Sequence, residues 1–167
     1  MGLYRRILVP TDGSGETRRA IDHAVDLAAV HDATVHGLYV LNTASYASVS
    51  VDASWDGVSE MLREEGERAI ETVTEAAEDA EVAVETALRS GSPSREIVRY
   101  AEEEACDLIV MGTHGRGGID RLLLGSVAER VVRSSTVPVL TIRVGADEQR
   151  VEARDSAEAD AELSEES

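Results

Sequence analysis

Three glycines and a serine stand at offsets that suit anion binding: Gly112, Gly115, Gly125 and Ser126, with two residues between the first pair and nine between the second and third glycines. Leu108 to Met111 is a short apolar run that stops at Gly112, and it reads as a strand buried on both faces. Ser126 then opens a helix over Val127 to Arg133, which carries Val127, Val131 and Ser134 on one face with Ala128 and Val132 beside them. A glycine loop between a buried strand and a helix start lets backbone N–H groups converge without side chains in the way. The helix N-terminus adds about half a positive charge in the same direction. The chemistry this points to is phosphate binding, with Ser126 as an N-cap, a phosphate donor or a ligand to a phosphate-bound divalent ion. A flexible surface loop with a glycine at a helix start would show the same spacing. Other phosphate motifs are excluded. The chain has no lysine, so it has no Walker A loop, and Gly13-Ser14-Gly15 fails the dinucleotide fingerprint because Arg18 stands where its third glycine belongs.

The elements that must position these residues can be read along the chain. Ile7-Leu8-Val9 is a buried strand closed by Pro10. Asp12-Gly13-Ser14 turns into a helix with Ser14 as its N-cap and Ile21, Ala24, Val25 and Ala28 on its buried face. His23 and His31 lie off that face and are expected to be solvated, and no metal-ligand spacing joins them to His36 or His114. Thr34 to Leu41 reads as a second strand with His36 as its polar interruption. Asn42 to Gly57 is a long loop whose Trp55 is either a ligand cover or a surface anchor. Val58 to Asp79 is an amphipathic helix with Leu62, Ala69, Ile70, Val73 and Ala77 inward. Glu81 to Arg89 alternates Val82, Val84, Thr86 and Leu88 with polar residues, which predicts a strand buried on one face, near a sheet edge. Ser92-Pro93 starts a helix that runs to about Ala105, with Ile97, Val98 and Ala101 as its core stripe. Val137 to Arg143 is a last strand, and its Pro138 is tolerable at an edge or a strand end.

Composition narrows the function classes. At 167 residues the chain suits one domain, assigned to residues 1–144. Residues 145–167 hold nine acids and two arginines with almost no large apolar residue, and are expected to be a disordered tail. The net charge of −17 sets 33 acids against 16 bases, all of them arginine. Such a surface repels nucleic acid and anionic membranes, and the absence of Phe argues against base-stacking platforms. Strong acidity without lysine suits a protein working in high salt, where screening relieves self-repulsion. No charged-then-apolar leader and no long apolar run is present, so a cytoplasmic protein without a membrane span is expected. The lone Cys106 heads a buried strand and is expected to be core filler.

The glycine pattern Gly112-x2-Gly115-x9-Gly125-Ser126 resembles the ATP-binding signature of the universal stress protein family, and the flanking MGTHGRGG, LLLGSVAERVV and PVLTIR are similar to that family too. ILVPTDGS at Ile7 to Ser14 resembles its first strand and turn. The resemblance covers about residues 4–144. It implies that Pro10, Thr11 and Asp12 line the adenine and ribose side of a nucleotide, with Val40 and Met111 against the base. Gly112, Gly115, Arg116, Gly125, Ser126 and Val127 would hold ribose and phosphates, and Asp12 and Ser126 a Mg2+ ion. His114 could be a catalytic histidine, and a phosphate hydrogen bond or a solvent-facing role explains it as well.

Five strands alternating with four helices predict an α/β fold, an open parallel sheet with helices on both faces. The edge character of strands three and five points to the order 3-2-1-4-5, which the resemblance also implies. Ligands bind such sheets at the carboxyl ends of the strands where the winding reverses, here between strands one and four. The expectation is an ATP-binding stress-response protein in which the nucleotide adjusts conformation or partner choice. The alternatives are a slow phosphate-hydrolysing or phosphate-transferring enzyme and a structural dimer without nucleotide. The last strand leaves an uncovered edge, which predicts a homodimer paired through it.

Overall fold

The computed structural model describes residues 2–43, 55–114 and 124–143. Nine elements follow one another: β1 (Arg6–Pro10), α1 (Gly15–His31), β2 (Thr34–Leu41), α2 (Trp55–Asp79), β3 (Val84–Ser90), α3 (Pro93–Glu103), β4 (Leu108–Gly112), α4 (Ser126–Ser134) and β5 (Val139–Ile142). The strands form one parallel sheet in the order β3-β2-β1-β4-β5, as expected. The chain winds outward from β1 to β3, then returns to lay β4 against the other side of β1.

The period-two alternation of strand side chains divides the core into two layers. Ile7, Val9, Val35, Leu108 and Val110 meet Ala20, Ile21, Ala24 and Val25 of α1 and Val73 and Ala77 of α2. Leu8, Leu38, Ile109 and Met111 face the other way, onto Ile97, Tyr100 and Ala101 of α3 and Ala128 and Val131 of α4. Because both faces are covered, β4 is buried along its whole length, and β1 is buried everywhere except Arg6. Cys106 joins the second layer, and burial pushes its thiol up to about 12, which leaves it unreactive.

Several boundaries differ from the sequence reading. The strand expected over Glu81 to Arg89 begins at Val84 and ends at Ser90. Val82 is buried, but it lies in the turn that closes α2, where Glu81 takes φ 57° and the Val82 N–H donates to the Ala77 carbonyl at 2.8 Å. Thr86 is exposed, and Ala87 packs instead against the α3 layer, so this edge strand is partly covered on both sides. The same left-handed closure ends α1 at Asp32, with φ 55°, and occurs at Ala105, with φ 50°, just beyond α3, which stops at Glu103. None of these residues is glycine, so the chain offers no local stop signal at these turns.

Helix α2 starts at Trp55, three residues before Val58, and the last strand spans Val139–Ile142 rather than Val137 to Arg143. In α4, Val132 is exposed and Gly125 takes the N-cap position. His31 is half-buried: its Nδ1 accepts the Leu3 N–H at 3.0 Å and its ring stands edge-on to Tyr4. His23 is exposed, as expected. The readings made for Gly115, Arg116, most of the Asn42 to Gly57 loop, the Trp55 side chain and residues 145–167 lie outside the described residues.

His36 is the polar residue most deeply placed in the sheet, 1% exposed. Its Nδ1 is 3.1 Å from the Tyr100 hydroxyl, and the Arg89 guanidinium lies over the Tyr100 ring at 4.8 Å. Burial holds the imidazole below its ordinary 6.5; Arg6 adds to this, while Glu85 and Glu104 oppose it. A group that resists protonation only when folded makes the unfolded chain bind more protons, so stability falls as pH drops below 6.5. Thermal melts across that range should show the loss, and His36→Gln should flatten it. Equal acid sensitivity in the variant would assign the loss to other groups.

Candidate functional site

The carboxyl ends of β1 and β4 open into a cleft of about 550 Å³. Pro10, Thr11 and Asp12 from β1, Val40 from β2, Met111 and Gly112 from β4, and Gly125, Ser126 and Val127 at the start of α4 all line it. The two stretches singled out by their residue types, a hundred positions apart in the chain, therefore share one wall.

Each stretch is held by backbone geometry. The Thr11 N–H donates to the Leu38 carbonyl at 2.9 Å, which anchors the end of β1 to β2. Gly13 follows with φ 78°, a conformation that favours glycine, and lets the chain turn into α1. Asp12 Oδ1 accepts the Ser14 N–H at 2.9 Å, and Thr11 Oγ1 accepts the Gly13 N–H at 3.2 Å. Ser14 occupies the N-cap position of α1 but makes no capping bond through its side chain, and its Oγ is buried without a partner. The capping reading thus holds for its position and not for its hydroxyl: the Thr17 N–H, which an N-cap hydroxyl would accept, donates to the Ser14 carbonyl at 3.2 Å. Thr17 completes the corner, with its hydroxyl 3.1 Å from that of Thr11.

On the other wall, the Gly125 N–H donates to the Thr113 carbonyl at 2.7 Å, and the Thr113 N–H donates to the Ile142 carbonyl at 3.1 Å. The start of α4 is thereby tied to the end of β4. Ser126 is the first residue of α4, so the unsatisfied N–H groups of that helix open at the cleft beside Gly125. Gly112 leaves little room: a Cβ there would lie 3.3 Å from the His114 carbonyl oxygen.

The lining also includes residues that the sequence reading did not assign to the site. Leu38, Leu62, Pro93 and Ile97 extend the apolar wall, and Asn42 and Thr113 add polar atoms. A signal was present for Pro93, since a helix start placed after a strand sits at the carboxyl end of the sheet. Nothing local marked Leu62 or Ile97, which reach the cleft from helices packed on opposite faces. Among the described lining residues there is no arginine, and Asp12, Tyr39 and His114 are the ionisable ones. No group of three or more His, Cys, Asp or Glu that could hold a metal occurs among the described residues. A divalent ion at Asp12 and Ser126 would need oxygens from a bound phosphate, which is the usual manner of Mg2+.

The cleft has the size range of small-molecule sites, with an apolar wall at Val40, Met111 and Ile97 and a polar end at the start of α4. That arrangement suits a flat ring joined to an anionic group.

Residues 3–143 match the universal stress protein family. A universal stress protein of Methanocaldococcus jannaschii is 43% identical over 141 residues, which cover 84% of this chain and 83% of that protein. Among solved structures, protein MJ0577 of the same organism matches with a TM-score of 0.75 at 33% identity, over 84% of this chain and 96% of that one. A universal stress protein solved in complex with cAMP matches with a TM-score of 0.59 at 28% identity, over 84% and 97% of the two chains. Sequence and fold agree over the same span, and the chain belongs to the universal stress protein family.

Proposed function

We propose that the protein binds an adenine nucleotide, ATP with Mg2+ in its full form, in the cleft between β1 and β4. The observation that carries this reading is the shared wall formed by Pro10, Thr11 and Asp12 with Met111, Gly112, Gly125, Ser126 and Val127. The adenine lies against Val40 and Met111, and Asp12 meets the ribose. The phosphates lie at Gly125 and Ser126, with Gly115 and Arg116 completing the cradle. The relative in complex with cAMP supports an adenine ligand. Mg2+, held by Asp12, Ser126 and phosphate oxygens, offsets charge that a chain without lysine cannot meet by a P-loop cation. Calorimetric titration with AMP and ATP, each with Mg2+ and with EDTA, tests this. EDTA should weaken ATP binding more than AMP binding, and failure to bind either at millimolar concentration overturns the reading. Nucleotide occupancy acts as a conformational or partner switch, and turnover is slow or absent.

The wider setting proposed is a cytoplasmic homodimer of a salt-adapted organism, with the nucleotide domain over residues 1–144 and an acidic tail over 145–167. Seventeen net charges repel across a Debye length that shrinks from about 10 Å at 0.1 M salt to about 3 Å at 1 M. The melting temperature should therefore rise with KCl. β5 is one of the two sheet edges, and among the described residues no strand pairs with its outer side, where a second copy can pair about a two-fold axis. A melting temperature flat in salt, or a monomer mass by light scattering in molar KCl, would overturn the corresponding part.

A further inference from the structure

Four buried side-chain atoms among the described residues have no hydrogen-bond partner, and one of them is Nε2 of His114. A buried polar atom without a partner is costly, and in a cleft it marks a place where a ligand can supply the missing bond. His114 lines the cleft, next to residues that begin α4. Its other ring nitrogen, Nδ1, stands 3.0 Å from the Thr113 hydroxyl. Thr113 is 8% exposed and is fixed on both sides of its peptide unit, through its N–H to Ile142 and through its carbonyl to Gly125. The hydroxyl that meets His114 is therefore held in place by β5 and by the N-cap of α4.

A hydroxyl can donate to an imidazole nitrogen or accept from it, and whichever it does decides which nitrogen carries the ring proton. A phosphate needs donors, and in a chain without lysine the His114 ring is one that the described lining offers. We propose that Thr113 donates to Nδ1 and so holds His114 with its proton on Nε2, and that this N–H binds a phosphate oxygen of the nucleotide beside the start of α4. The assignment rests on the nucleotide reading above. It makes His114 a residue that distinguishes a phosphorylated nucleoside from a bare one, and Thr113 the positioning residue behind it. The ring binds as a neutral donor and takes no part in proton transfer.

The test compares AMP with adenosine, which share the base and ribose. In the parent protein, the ring-nitrogen NMR shifts of His114 should report the Nε2–H form, and the Nε2 signal should move with AMP and not with adenosine. His114→Ala should bind AMP weaker by about tenfold or more, the loss expected for one hydrogen bond to a charged group, with adenosine unchanged. His114→Gln should recover part of the loss, because its amide N–H can stand near the position of Nε2. Thr113→Val, nearly equal in shape, should weaken AMP by a smaller factor and raise the Nδ1–H population. An Nδ1–H form in the parent protein overturns the proposal without any variant. So does unchanged AMP affinity in His114→Ala, or an equal loss for AMP and adenosine. A parent protein that binds neither ligand would instead overturn the nucleotide reading, a result separate from these.

Discussion

Replacing Gly125 with valine should lower AMP and ATP affinity by about a hundredfold or more, the equivalent of losing two hydrogen bonds to a charged group. Gly125 is the N-cap of α4 with φ −63° and ψ 160°, backbone that a valine adopts without strain. Its N–H bond to Thr113 remains available, so the end of β4 stays tied to the helix. What changes is the cleft. A branched side chain would stand where N–H groups of the first turn approach the phosphate. Stability should fall by only about 1 kcal/mol, since valine is a poorer N-cap than glycine. Ser126→Ala should be milder in affinity, as it removes one hydroxyl and adds no bulk. Calorimetry on folded Gly125→Val that returned the parent affinity would show that the phosphates lie elsewhere, and the functional assignment would fail with it.

A large loss of stability from a single added carbon is expected at Gly37. This residue lies in the middle of β2, paired with Val9 on one side and Thr86 on the other. A Cβ built there would lie 2.9 Å from Cγ1 of Val73 and 3.2 Å from its Cβ. Val73 is fully buried and β-branched, so it cannot swing aside as a long side chain would. Gly37→Ala should therefore cost about 1–3 kcal/mol by overpacking and push α2 away from the sheet. In Val73→Ala the extra methyl would find room, so the double variant should be more stable than the sum of the two changes predicts, by about 1 kcal/mol. Denaturant unfolding of the four proteins measures this. Strict additivity would mean that the sheet absorbs the methyl by some other movement.

A glycine inside a strand can mark a close approach of something else, a signal that the sequence reading of β2, which noted only His36, did not take up. What approaches it was not visible. Val73 lies far along the chain, and only the packing of α2 on the sheet brings it within 3 Å of the position that a Cβ at residue 37 would take.

The same division runs through the molecule. Apolar runs and periodicities are local properties, and from them the sequence by itself determined the five strands and the four helices; the edge character of strands three and five pointed to the sheet order that the family resemblance also implied, and that order makes Pro10-Thr11-Asp12 meet Gly112. A strand buried along its length has to be central, and two central strands at the point where the winding reverses have to share a crevice. Tertiary structure alone decided the rest. The helix ends at Asp32 and the left-handed turns at Glu81 and Ala105 use non-glycine residues, a conformation accepted because the next residue, Ala33, Val82 or Cys106, buries its side chain. The Ser14 hydroxyl makes no capping bond, and the Thr17 N–H that it would accept turns to the Ser14 carbonyl instead, an outcome that residue type does not settle. His36 looked like an interruption in an apolar strand until Tyr100, 64 residues away, supplied its partner. Leu62 and Ile97 became walls of the cleft for the same reason: a pocket is a relation between elements, and its lining depends on how helices from both faces of the sheet reach one edge of it.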